Sequence, residues 1–202
     1  DIKFTLNGEK IAISVEPSDV LLDVLRGRLG IKSPKVGCDR GDCGTCTILV
    51  NGRTIRSCLA LAVEADGTEI VTLEGANTTR KWTQKLQKKF HEKNAFQCGF
   101  CAPGVILSAT ELLEKNPKAS KHDIKEAIAG NLCRCTGYQN IIASVLRAAE
   151  LKRTEADEFG VSVSSQGIQV IETPTHKTAP QYRVQNLKEN WIRRANTALD
   201  LV

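Results

Sequence analysis

The chain has 202 residues, 41% of them hydrophobic, and a formal net charge of +5; that length holds one or two small domains with modest cores rather than one large one. No apolar run is long enough to span a bilayer, and no nucleophile elbow, phosphate loop, dinucleotide fingerprint or zinc-protease motif occurs. With no signal-like stretch the expectation is a soluble cytoplasmic protein, although a start at Asp1 and the absence of methionine leave a trimmed N terminus open.

From the N terminus, Ile2–Leu6 and Lys10–Val15 read as strands around Asn7-Gly8, and Thr47–Val50 as a strand leading into Asn51-Gly52; both dipeptides are hairpin signals because both tolerate positive φ. Between them, Leu21, Leu22, Leu25 and Leu29 predict a helix over Val20–Leu29 capped by Ser18 or Asp19. Hairpin, helix, cysteine loop and hairpin together predict an α+β domain of ferredoxin-like β-grasp type over residues 1–76, with Gly75–Thr79 as its boundary.

All eight cysteines fall into two sets of four. Cys38, Cys43, Cys46 and Cys58 have the C-x4-C-x2-C opening of a plant-type [2Fe–2S] site, with the fourth cysteine downstream. Gly37, Gly41 and Gly44 let the backbone wrap closely and turn N–H groups toward sulfur, which stabilises an anionic cluster. Zinc is the competing occupant, but its cysteines come as two tight pairs; disulfides are a further alternative.

Four helices are predicted next, at roughly 79–93, 103–115, 121–130 and 139–152, forming an all-α four-helix domain over residues 77–152. Their apolar faces are Trp82, Leu86 and Phe90; Val105, Leu112 and Leu113; Ile124, Ala127 and Ile128; Ile142, Val145, Leu146 and Ala149. Pro103 suits a first turn, Ser120 with Asp123 resembles a capping box, and Gly130 with Asn131 stops the third helix. Cys98 and Cys101 sit between the first two helices and Cys133 and Cys135 between the last two, so each helix pair offers two thiols to one centre. Gly99, Gly104 and Gly137 are placed to permit close backbone approach there, and Arg134 either offsets charge or faces a partner. Arg80, Lys81, Lys85, Lys88, Lys89 and Lys93 crowd the first helix, but opposite an apolar face they read as a solvated surface, not a nucleic-acid site. His91, His122 and His176 have no ligand-like spacing.

The strings G-C-D-R-G-D-C-G-T-C, Q-C-G-F-C-A-P-G and G-N-L-C-R-C-T-G-Y resemble the small, two-cluster [2Fe–2S] subunit of the xanthine oxidase family of molybdenum hydroxylases, over about residues 1–152. The resemblance implies an electron-transfer subunit without substrate chemistry of its own, paired with a large molybdenum–pterin subunit and a flavin subunit. It implies that Cys98, Cys101, Cys133 and Cys135 hold the cluster nearer molybdenum and the N-terminal four the cluster nearer flavin, with Gln97 and the backbone of Cys135 close to the pterin cofactor. Ala102 stands where the family more often has threonine. A free-standing ferredoxin-like carrier is the alternative.

Residues 153–202 extend beyond that resemblance. Val161–Ser164 and Ile168–Ile171 alternate as a small hairpin, Thr173–Pro180 reads as a linker, and Leu187, Trp191, Ala195, Ala198 and Val202 mark an amphipathic terminal helix. Packing on its own subunit is one reading of this extension; the expectation taken forward is that it wraps a partner subunit, because a strand pair and a helix have little core of their own.

Overall fold

The computed structural model describes residues 1–149, 161–164 and 167–170. Its first elements follow the turn chemistry. β1 (Ile2–Leu6) pairs antiparallel with β2 (Glu9–Ile13), and Asn7 and Gly8 both take positive φ, +53° and +91°, as a two-residue turn between twisted strands requires. Asn51 and Gly52 repeat this between β3 (Thr47–Val50) and β4 (Arg53–Arg56). A strand not foreseen, β5 (Glu69–Val71), lies parallel to β1 and antiparallel to β3, giving the order β2-β1-β5-β3-β4. Its three residues are too short to show a period of two.

Alternation along β1 sends Ile2, Phe4 and Leu6 into a core with Leu21, Leu25, Ile48 and Ile70. The helix expected over Val20–Leu29 is a single turn, α1 (Leu21–Asp23), running into a π-helical segment, Val24–Arg28, closed by the Leu29 N–H on the Val24 carbonyl. Neither Ser18 nor Asp19 caps it: Asp19 instead accepts from the Glu16 N–H and pairs with Arg28.

The expected boundary at Gly75–Thr79 is helical, α2 (Leu73–Thr79). Asn7 reaches across to its start, accepting from the Thr72 N–H and donating to the Thr72 hydroxyl. After it come α3 (Lys81–Glu92), α4 (Ala102–Lys115), α5 (Lys121–Ile128) and α6 (Gln139–Ala148). α3 and α5 each pack on both α4 and α6, around Leu86, Phe90, Val105, Leu113, Ile124, Ile128, Ile142 and Val145. Ser120 and Asp123 exchange hydrogen bonds as a capping box. Gly130 does not end α5 by a left-handed turn; a side chain there would collide with the Arg56 guanidinium.

α4 departs from its expected single apolar face: Pro103 to Thr110 are buried on every side. It lies between the other helices and the sheet, where Leu107 meets Leu49 and Val71. Leu112 is only partly buried. The chain divides into two compact units between Lys152 and Arg153. In the second, β6 (Val161–Ser164) pairs antiparallel with β7 (Gly167–Val170), one residue earlier than expected. The linker at Thr173–Pro180 and the amphipathic helix from Leu187 to Val202 lie outside the described residues.

Candidate metal centres

The first cysteine loop is shaped by Asp39, Gly41 and Gly44, whose φ values are +54°, +85° and +72°. Reversals of this kind turn consecutive N–H groups inward. The N–H groups of Arg40, Cys43 and Asp42 donate to the Cys38 sulfur and, as the main cause, hold its thiol down at about 7; Cys43 N lies 3.3 Å from that sulfur. Gly41 donates to Cys58. Burial, reinforced by Cys46, nevertheless pushes the Cys58 thiol up to about 11, and the Cys46 and Cys58 sulfurs lie 3.4 Å apart. A Cβ at Gly37 would sit 2.9 Å from the Cys43 sulfur, so the glycine is a steric need of the thiol pocket.

The second set is assembled from two loops. Cys98 and Cys101 precede α4, and Cys133 and Cys135 lie between α5 and α6. Across the loops Cys98 and Cys135 sulfurs are 3.6 Å apart, and Cys101 shares a hydrogen bond with Cys133. Burial, then Cys133, raises the Cys101 thiol to about 12. Burial works upward on Cys133 too, but the hydroxyl and N–H of Thr136 outweigh it and leave that thiol lowered; Thr136 Oγ1 is 3.1 Å from the sulfur. Thr45 stands likewise 3.2 Å from Cys43. The sulfurs thus pair as Cys38 with Cys43, Cys46 with Cys58, Cys98 with Cys135, and Cys101 with Cys133.

All eight thiols are free, and the 3.4 and 3.6 Å separations exceed a disulfide bond. Two thiol pairs side by side suit a binuclear group, with one pair for each iron. Donor chemistry agrees: soft sulfur ligands, N–H groups aimed at them, and no carboxylate among them.

The two sites differ in access. Cys46 and Cys58 are buried, whereas Cys98 and Cys135 are exposed in a cavity of about 280 Å³ rimmed by Phe96, Phe100, Leu132 and Arg134. Gln97, at its edge, donates from Nε2 to the Cys135 carbonyl at 3.3 Å. Arg134 is exposed, with no ion pair among the described residues.

Sequence reasoning missed the residues that join the two loops. The Leu132 N–H donates to the Cys43 carbonyl at 2.8 Å, so backbone next to Cys133 touches backbone of Cys43. Asn131, read from sequence only as a helix stop, is buried and bridges both sides. Arg56 donates to Thr47 Oγ1 at 2.7 Å and to the Gly130 carbonyl at 2.8 Å. Gly104, expected to permit close backbone approach in the second domain, does so toward the first loop: a Cβ there would strike the Gly44 carbonyl. Tyr138 holds the second loop, its hydroxyl accepting from the Cys133 N–H at 2.8 Å and donating to the Asn131 carbonyl at 3.0 Å. Its φ of +67° in a non-glycine residue was the one local hint, and it is invisible in sequence.

Residues 4–72 match the family described as 2Fe-2S iron-sulfur cluster binding domain, and residues 72–146 the family described as [2Fe-2S] binding domain. The chain is 48% identical over 149 residues to the nicotinate dehydrogenase small FeS subunit of Eubacterium barkeri, covering 74% of this chain and 94% of that one. It is 42% identical over 153 residues to a xanthine dehydrogenase iron-sulfur-binding subunit of Escherichia coli, covering 75% and 95%. A chain of the quinoline 2-oxidoreductase crystal structure from Pseudomonas putida superposes with a TM-score of 0.68 at 43% identity, covering 74% of this chain and 93% of that chain.

Proposed function

The chain belongs to the small iron–sulfur subunits of the xanthine oxidase family, and from that premise we propose that Cys98, Cys101, Cys133 and Cys135 bind the cluster at which electrons enter, and Cys38, Cys43, Cys46 and Cys58 the cluster from which they leave. The protein is the electron-transfer subunit of an oxidoreductase complex and carries two [2Fe–2S] clusters; a free-standing carrier is set aside, because the relatives are named as subunits of dehydrogenases. Each cluster, when bound, takes up and passes on one electron at a time.

This chain's residues supply binding and insulation rather than acid–base or nucleophilic groups. Residues 1–76 are assigned the first thiol loop and residues 77–152 the second, with α3 to α6 as the four-helix bundle that presents it. The exposed edge at Cys98 and Cys135 faces the donor. We assign that donor to a molybdenum–pterin subunit, with Gln97 and the Cys135 carbonyl at the pterin, and the acceptor beyond the N-terminal loop to a flavin subunit. The extension from residue 153 is assigned to a partner's surface.

One observation carries a relay through two neighbouring clusters: the Cys43 carbonyl and the Leu132 N–H close a 2.8 Å contact between the two thiol loops. The test is single-ligand replacement in the purified complex. Wild type should hold about four irons and four labile sulfides per chain, as two [2Fe–2S] groups require, with two distinct paramagnetic signals on reduction. Cys46→Ser should remove one signal and Cys98→Ser the other; loss of both from either replacement, or two zincs per chain, contradicts the assignment.

A further inference from the structure

The structure assigns Asn131 as the positioning residue for electron passage between the two clusters, a step that rests on the relay reading above. The residue is 1% exposed, and its carboxamide joins the first thiol loop, β3 and α4. Nδ2 donates to the Gly44 carbonyl at 3.0 Å and to Thr47 Oγ1 at 3.2 Å, both at the end of the first thiol loop. Oδ1 accepts from Ser108 Oγ of α4 at 2.8 Å. Asn131 is bonded through the chain to Leu132, whose N–H meets the Cys43 carbonyl, and its own carbonyl takes the Tyr138 hydroxyl that also holds Cys133.

One carboxamide therefore ties a ligand loop of each centre to the other and to the buried stretch Pro103–Thr110 of α4. A buried amide with both its donor and acceptor ends engaged is held in one orientation, because any rotation would leave polar groups unpaired away from water. The approach it spans is possible only because Gly44 and Gly104 lack side chains: a Cβ on Gly44 would strike the Gly130 carbonyl, and one on Gly104 the Gly44 carbonyl. No other side chain among the described residues reaches Gly44 O, Thr47 Oγ1 and Ser108 Oγ together. Arg56 also bridges Thr47 and Gly130, but its hydrogen bonds do not extend to Ser108 of α4. Asn131 thus fixes how close Cys43 and Cys133 stand, and through them the coupling of the clusters that they ligate.

The experiment uses the full chain within its native complex. Asn131→Leu keeps the volume and loses every side-chain hydrogen bond; Asn131→Asp keeps the acceptor for Ser108 and loses both donated bonds. After dithionite reduction, low-temperature paramagnetic resonance reads each cluster's own signal and the magnetic splitting between them. The expected result is iron content and both individual signals retained, with the splitting lost or clearly narrowed. Unchanged splitting in Asn131→Asp with both clusters bound overturns the assignment. Where neither variant binds its clusters, Ser108→Ala decides: it leaves Asn131 in place but releases its acceptor end, so narrowed splitting supports the assignment and wild-type splitting overturns it. A wild-type complex with only one signal would instead overturn the two-cluster relay itself.

Discussion

At Gly44 two requirements coincide. Its φ of +72° lies where side chains strain the backbone, and the space its Cβ would fill belongs to the Gly130 carbonyl. Gly44→Ala should therefore cost roughly 2 kcal/mol or more, the left-handed penalty plus displacement of the facing chain, read as a lower thermal midpoint together with a broadened signal from the N-terminal cluster. Tyr138→Phe is a gentler change. It keeps the ring and removes a hydroxyl that accepts from Cys133 N and donates to the Asn131 carbonyl. The expected loss is about 1 kcal/mol, with a shift confined to the second cluster's signal, because one N–H beside its ligand loses its partner. The glycines at 41 and 44 were legible as residue types in a loop that must reverse. Tyr138 was not, since nothing in a tyrosine's neighbours announces that its hydroxyl will reach back to Cys133.

Among elements, α5 was the most legible because its N terminus is encoded locally. Ser120 and Asp123 satisfy each other's N–H groups, and Ser120→Ala should cost about 1 kcal/mol in urea unfolding, without change at either cluster. α4 was read less well. Its sequence suggests one apolar face, yet Ser108 and Thr110 are buried as well. Each has a specific partner, Asn131 Oδ1 for Ser108 and the Thr83 hydroxyl for Thr110. Small polar residues can face a core when their hydroxyls are bonded there, and periodicity that counts only apolar residues overlooks them. β5 and the π-helical segment after α1 were missed for a related reason: the first is held by strands distant in sequence and the second by packing of Leu21 and Leu25 on the sheet.

Among the described residues, side chains besides Asn131 fasten the sheet and its loops to the helical half at several places. Arg56 joins Thr47 to Gly130, and Glu111 of α4 accepts from the N–H and hydroxyl of Thr54 on β4. Glu74 of α2 accepts from the N–H groups of Lys32 and Ser33 and from the hydroxyls of Ser33 and Thr72. Arg56→Met should cost about 2 kcal/mol, the scale of hydrogen bonds from a charged donor, measured as a drop in thermal midpoint. Burial works upward on the Glu74 carboxyl, but the hydrogen bonds from Ser33 and Thr72 outweigh it and hold the group at about 2, below its ordinary 4.5. The folded chain then binds fewer protons than the unfolded one between those values, so this contribution is complete above pH 4.5 and is lost as pH falls toward 2. Glu74→Gln should flatten that part of the profile of thermal midpoint against pH, while leaving the slope above pH 5 as in wild type.

Cysteine number and spacing, the two Asn-Gly turns and the Ser120 cap determined which segments carry thiols and how each segment turns, because backbone sterics and local hydrogen bonds act within a few residues. Which sulfurs within each set of four stand side by side was decided elsewhere. Cys98 meets Cys135, and Cys43 meets Leu132, only after α4 has packed against β3 and the helices have closed on one another. Contacts between residues so far apart in sequence are set by how buried surfaces fit, and no local pattern records that fit.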